Sequence, residues 1–126
     1  MDMGKPKPKG IFRFRYTMLY SINGIKSAWK FEESFRQEIF LFLFLTPIAY
    51  FIGIDIIDYI LLIGSLWFLL IIELINSAIE AAVDRIGLEK NELSKRAKDI
   101  GSAAVMLTIF LVIGIWGTIL FNNYFL

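Results

Sequence analysis

Three long apolar runs dominate the chain from residue 39 onward. They cover residues 39–54, 59–83 and 100–121, and the last run contains no charged residue. A helix rises about 1.5 Å per residue, so roughly 20 residues cross a hydrocarbon core about 30 Å thick. The pattern therefore predicts three transmembrane helices, which we place at residues 34–56, 59–83 and 100–122.

A different pattern precedes these runs. Residues 1–10 are basic and rich in proline and glycine, which predicts a loose tail; no apolar core with a cleavage site follows directly, so a cleaved signal peptide is not expected. In residues 11–31, large apolar side chains recur at spacings of 4, 4, 3 and 4, namely Phe14, Met18, Ile22, Ile25 and Trp29. This spacing predicts an amphipathic helix, and its basic character favours a position at the membrane interface. The alternative is a helix packed on a soluble core.

The distribution of positive charge predicts the orientation. All 13 Lys and Arg residues lie either before Gln37 or between Arg85 and Lys98. Because positive charge marks cytoplasmic segments, residues 1–33 and the loop 84–99 are predicted to be cytoplasmic and the C-terminus external. The chain is interpreted as one membrane domain, residues 1–126.

Composition narrows the chemistry. The chain is 57% hydrophobic, carries a net charge of +1, and contains neither cysteine nor histidine. The charge gives no reason to expect a nucleic-acid partner. Disulfides, thiolate metal sites and histidine bases are excluded, so carboxylates are the main candidates for acid–base or metal chemistry.

The second run contains such carboxylates. Glu73, Asn76, Glu80 and Asp84 are spaced by 3, 4 and 4, and fall within about 80° on one helix face. We call these four residues the acidic stripe. Ionisable groups at membrane depth are costly and are functional candidates by default. The alternative is that they are assembly contacts, with Asn76 bonding across helices.

Further charges flank the spans. Lys98 could bind phosphate or simply reach towards the interface, and Glu32 could ligate Mg²⁺ or simply anchor a helix. The Walker A phosphate loop and the protein-kinase catalytic loop are absent. Residue pattern alone thus indicates a membrane protein with a cytoplasm-facing acidic site.

Longer motifs resemble the prokaryotic diacylglycerol kinase family. They are RQE at 36–38, E-x2-NSAIEA-x-VDRIG at 73–87, ELS at 92–94 and RAKD-x-GSAAV at 96–105. The resemblance implies an interfacial helix plus three transmembrane helices in a homotrimer, located in the bacterial inner membrane with a cytoplasmic active site. It also implies transfer of the γ-phosphoryl group of MgATP to the hydroxyl of diacylglycerol, giving phosphatidate.

The resemblance further implies roles for single residues. Glu73 would be the general base, with Asn76 beside it as the second catalytic residue, and Glu32 and Glu80 would ligate Mg²⁺. ATP would be bound by Arg13, Tyr20, Glu32, Glu80, Glu89, Asn91, Lys98 and Asp99. The lipid would be bound by Arg13, Ser21, Trp29, Ser34, Glu73 and Ser102.

Other functions are weighed against this one. A related group phosphorylates undecaprenol and has a similar polar face. A non-enzymatic ion or proton pathway would use Glu73 and Glu80 as relays, but the outer half of every predicted span is apolar. A structural assembly factor would not need carboxylates suited to Mg²⁺.

Overall fold

Residues 9–126 form four helices joined by short connections. The computed structural model describes Gly4, Pro6 and residues 9–126, and the rest of the predicted tail lies outside the described residues. The helices are α1 (Ile11–Phe31), α2 (Glu33–Ile52), α3 (Ile56–Ile86) and α4 (Glu92–Phe125), and the described residues form no strand. By length and apolar composition, α2, α3 and α4 could each cross a membrane. The all-α class is confirmed, whereas the membrane boundaries and the interfacial position of α1 stay predictions.

The helices end at residues different from those predicted for the spans. Helix α2 ends at Ile52, before the predicted 56, because Gly53 is extended and the Asp55 side chain accepts from the Asp58 amide to start α3. Much of the predicted loop 84–99 is helical, which leaves only residues 87–91 between α3 and α4. The cause is Asn91, whose side chain accepts hydrogen bonds from two amides of the first turn of α4 and so caps it early.

Helices α3 and α4 make the most extensive interhelical packing. Their shared core contains the buried side chains of Leu62, Leu66, Val112 and Ile119. Trp116 of α4 adds a polar contact, because its indole nitrogen donates to the Leu62 carbonyl at 3.2 Å. This hairpin carries the acidic stripe on α3.

A polar clasp fastens the end of α4 to the α2–α3 turn. Asn123 donates from Nδ2 to Asp58 Oδ2 at 2.9 Å and to the Ile52 carbonyl at 3.0 Å. The Tyr124 hydroxyl donates to the Phe51 carbonyl at 2.6 Å. We call Asp58, Asn123 and Tyr124 the C-terminal clasp. It lies at the end of the bundle opposite the 87–91 loop.

Helix α1 packs on the bundle only near its C-terminal end. Ala28 is its one buried residue within the described part of the chain, and its large apolar side chains are exposed. Its junction with α2 is fixed by Arg36, whose guanidinium donates to the carbonyls of Trp29 and Lys30 at 2.6 and 3.2 Å. The backbone at Glu32 is extended, which interrupts the helix between α1 and α2 and directs the Glu32 side chain towards α3.

Candidate active site

The acidic stripe follows α3 from the buried core towards the 87–91 loop. Glu73 is 4% exposed and Asn76 is 7% exposed, whereas Glu80 is half-buried and Asp84 is exposed. Asn76 donates from Nδ2 to Glu80 Oε1 at 3.3 Å, one helical turn away. The i, i+3 and i, i+4 spacing therefore produces the shared face that the sequence predicted.

Glu32 approaches this stripe from the α1–α2 junction. Burial raises the pKa of the Glu32 carboxyl, and the negative charges of Glu80 and Asp84 raise it further, while Arg36 opposes them. Glu32 therefore lies close enough to Glu80, the other residue predicted as a metal ligand, for their charges to interact. Neighbouring carboxylates of this kind gain stability when a cation lies between them.

The donor set fits a hard divalent cation. Carboxylate oxygens suit Mg²⁺, which commonly takes one or two protein carboxylates and completes its shell with water and substrate phosphates. Among the described residues, no group of three or more acidic side chains is arranged to hold a metal by itself. Glu32 and Glu80 would therefore hold a cation that arrives with a phosphate ligand.

A cleft of about 680 Å³ adjoins the Asp84 end of the stripe, between the C-terminal end of α3 and the start of α4. Four of the residues predicted to bind ATP line it, namely Glu89, Asn91, Lys98 and Asp99. Lys98 Nζ lies 2.6 Å from Asp84 Oδ1, and Asp99 pairs with Lys95. The cleft thus combines ammonium groups that could neutralise phosphate with acceptors that could bind a sugar or base.

A second, mostly apolar groove of about 590 Å³ lies between α1 and α3. Ser21 and Gly24 line it on α1, Leu74 and Ala78 line it on α3, and Glu32 lies at the junction. An apolar groove that opens beside an acidic site can accommodate an acyl chain with its polar end at the carboxylates.

The other predicted substrate residues lie on α1 and near the starts of α2 and α4. Arg13 and Tyr20 are exposed on α1, Trp29 packs on Phe40, and Ser34 and Ser102 are exposed. Within residues 9–126, no side-chain hydrogen bond or ion pair joins Arg13 or Tyr20 to Glu73, Asn76 or Glu80. A single chain therefore assembles the acidic half of the predicted site without these residues.

Two features of the site were missed by the sequence analysis. Glu38 of α2 lies with its carboxyl within hydrogen-bonding reach of the Glu73 carboxyl. Gly101 of α4 packs directly on Asn76, because a Cβ atom at Gly101 would clash with Asn76 Oδ1. Neither contact has a periodic signal, although both residues belong to motifs noted above, RQE and GSAAV.

Comparison with known proteins connects this geometry to a family. A family profile described as Prokaryotic diacylglycerol kinase matches residues 19–120. A protein of Haemophilus influenzae named Diacylglycerol kinase is 46% identical over 115 residues, covering 91% of this chain and 98% of the relative. Proteins of the same name from Escherichia coli K12 and Helicobacter pylori J99 are 46% and 41% identical, over 83% and 95% of this chain and 86% and 94% of the relatives.

The matched residues include α2 and α3, which carry Glu38 and the acidic stripe. They also include the residues that line the cleft between α3 and α4. The match also covers nearly the whole of the relatives, so the agreement is not confined to a shared apolar composition. The chain belongs to the prokaryotic diacylglycerol kinase family, and it is a membrane-embedded enzyme of the kinase class.

Proposed function

We propose that this enzyme transfers the γ-phosphoryl group of ATP to the hydroxyl of diacylglycerol, giving phosphatidate. The observation that carries the proposal is the gradient along α3, from buried Glu73 through Asn76 and Glu80 to the charged cleft at Asp84. One end of this stripe suits a lipid head group, and the other suits a water-soluble phosphate donor. The names of the relatives supply the acceptor, diacylglycerol.

Glu73 is assigned as general base. As the lipid oxygen attacks the γ-phosphorus, its O–H bond breaks and the proton moves to the Glu73 carboxylate, while the bond from phosphorus to the departing ADP oxygen breaks. The hydrogen bond from Asn76 to Glu80 holds the amide beside the reacting groups. Phosphoryl transfer depends mostly on positioning and charge neutralisation, which this compact set provides.

Glu32 and Glu80 are assigned as ligands of Mg²⁺. When bound, the ion would neutralise phosphate charge and orient the γ-phosphoryl group. Lys98 and Arg13 add positive charge, while Tyr20, Glu89, Asn91 and Asp99 contact the nucleotide. When ATP binds, the Lys98 ammonium group either leaves its partner Asp84 for a phosphate group or contacts both.

The lipid is proposed to enter from the membrane through the α1–α3 groove. Ser21 lines that groove. The buried Glu73 would meet a lipid hydroxyl held at the head-group boundary. The remaining lipid contacts are assigned to Arg13, Trp29, Ser34 and Ser102. The enzyme is placed in the bacterial inner membrane with α1 at the interface and the site facing the cytoplasm, as the distribution of Lys and Arg indicates.

The active unit is proposed to be a homotrimer. Within the described residues, Arg13 and Tyr20 make no side-chain hydrogen bond or ion pair with the acidic stripe, and α1 leaves most of its surface uncovered. A neighbouring copy could cover this surface and complete the site. A fully active monomer, identified by mass measurement in mild detergent, would contradict this assignment.

One experiment tests the reaction and its acceptor together. Purified protein in detergent is given radiolabelled ATP with diacylglycerol and undecaprenol as competing acceptors. We expect label in phosphatidate, with a Glu80→Gln variant inactive at limiting Mg²⁺. Label only in the undecaprenol product would reject the acceptor, and no label in either lipid would reject the reaction.

A further inference from the structure

The RQE motif at residues 36–38 is not fully explained by the proposed function. Arg36 fixes the α1–α2 junction through the carbonyls of Trp29 and Lys30. Gln37 donates to Glu33 Oε1 at 3.4 Å on the exposed face of α2. Both residues thus have local structural roles, but Glu38 points away from them into the bundle.

Glu38 contacts Glu73 in a region where no positively charged side chain of the described residues lies nearby. The two carboxyl groups lie within hydrogen-bonding reach, and Glu38 Oε2 is buried with no hydrogen-bond donor among the described residues. The apolar cluster around Phe35 and Leu70, with Leu74 packed on it, lies between the same two helices. We call Glu38 and Glu73 the carboxyl pair.

The charged groups near the carboxyl pair are themselves acidic. Glu73 faces Glu80 on its own helix and Glu32 at the α1–α2 junction, whereas the one charged group that faces Glu38 among the described residues is Glu73. Arg36 is bonded to backbone carbonyls, and Lys98 of α4 is paired with Asp84. No positive side chain therefore compensates two negative charges on the pair within the described structure.

Two carboxylates in contact in a poorly solvated site cannot both be ionised, so such a pair retains one proton. A protonated carboxyl has an O–H group to donate, which an ionised one lacks. We propose that Glu38 is a positioning residue that keeps this proton and uses it to donate a hydrogen bond to one oxygen of Glu73, which leaves the other oxygen to face the lipid hydroxyl. This inference rests on the proposed role of Glu73 as base.

The proton balance follows directly. Before reaction the carboxyl pair carries one proton and one negative charge. The lipid hydroxyl proton then moves to the free oxygen of Glu73, so the pair becomes neutral while the Glu38 proton stays in place. Full ionisation at high pH removes the Glu38 donor and adds charge beside the phosphates, so turnover should fall.

Two substitutions separate this role from packing. Glu38→Gln retains a donor without a titrating proton, so kcat at neutral pH should stay within about threefold of wild type and the alkaline decrease caused by the pair should vanish. Glu38→Leu retains bulk but no donor, and misplacement of the base should lower kcat at least about 10-fold with KM for ATP unchanged. Glu33→Gln, on the exposed side of α2, is the matched control and should keep the wild-type pH profile.

Infrared spectroscopy tests the proton without turnover. At neutral pH the wild type and Glu33→Gln should show the carbonyl stretch of a buried protonated carboxylic acid, and Glu38→Gln should lack it. Wild-type kcat in Glu38→Leu, equal damage in Glu38→Gln and Glu38→Leu, or an unchanged infrared band in Glu38→Gln would each overturn the proposal. If Glu73→Gln proved active, the base assignment would fail, and the infrared band would still report on the shared proton.

Discussion

Glu73 is the deepest acid of the stripe, and its side chain is 4% exposed. Replacing it with glutamine retains size and polarity but removes the base, so turnover should fall at least about 10²-fold. Binding of MgATP should persist, because Glu32 and Glu80 are unchanged. Nucleotide affinity and turnover are measured on one purified preparation, with Glu33→Gln as control. Turnover near wild type would end the base assignment, and lost nucleotide binding would move Glu73 into the metal site.

Glu32 gives a prediction about stability. Burial, followed by the charges of Glu80 and Asp84, raises its pKa, so folding disfavours its ionised form. Its unfavourable contribution is absent below the ordinary glutamate pKa of about 4.3 and develops as pH rises through the higher folded value. Glu32→Gln should therefore slightly raise the thermal midpoint of metal-free protein at pH 7 but not at pH 4, while raising the Mg²⁺ requirement. A lower midpoint at pH 7, measured with chelator present, would contradict this sign.

Single residues also show how far the sequence could be used for prediction. The acidic stripe was predictable because helical geometry alone places Glu73, Asn76 and Glu80 on one face. The partners Glu38 and Gly101 were not, since their contacts with Glu73 and Asn76 depend on how separate helices pack. Arg13 and Tyr20 remain predictions, because within the described residues neither side chain bonds to the stripe.

At the scale of helices, the approach of α4 to α3 depends on Gly101. A methyl group there would clash with Asn76 Oδ1, so Gly101→Ala must displace Asn76 or separate the helices. The hydrogen bond from Asn76 to Glu80 should be lost, and activity should fall about 10-fold or more. Gly114→Ala, on the same helix with open space around it, is the control and should stay active. Assays of both variants at equal folded concentration decide this, and equal activities would show that Asn76 can move without cost.

The C-terminal clasp gives a prediction at the other end of the bundle. Asn123→Ala removes the hydrogen bonds to Asp58 and to the Ile52 carbonyl, which should lower stability by about 1–2 kcal/mol. Asn122→Ala removes only one weaker contact, at 3.3 Å, and should have a smaller effect. Thermal unfolding in detergent compares them, and the reverse order would show that the clasp does not hold α4.

Helix ends were only partly predictable. The apolar pattern located α2, α3 and α4, but the predicted spans left out residues 84–99, whereas α3 continues to Ile86 and α4 begins at Glu92. Charged residues can be helical outside the hydrocarbon core. Hydropathy therefore indicates the membrane-spanning part of a helix rather than its full length. Asn91 directly before Glu92 was a usable N-cap signal, and it would have shortened the predicted loop.

At the scale of the whole molecule, topology can be tested directly. The chain has no cysteine, and Leu126 is 84% exposed at the end of α4. A single Leu126→Cys substitution should react with a membrane-impermeant thiol reagent from outside the inner membrane, with Lys90→Cys as the cytoplasmic control. Labelling of Leu126→Cys only from the cytoplasm would reverse the predicted orientation.

The length of the α3–α4 hairpin has a consequence for the membrane itself. With 31 and 34 residues, the two helices are about 46 and 51 Å long, against a hydrocarbon core of about 30 Å. The short 87–91 connection holds α3 and α4 together as one hairpin. The position of Glu73 along α3 then sets its distance from the opposite leaflet. A thicker or thinner bilayer would shift the acceptor head group relative to this fixed depth, because hydrophobic mismatch is relieved by tilt or by lipid deformation. The acyl-chain length of the surrounding lipids would thereby act on turnover without touching the catalytic residues.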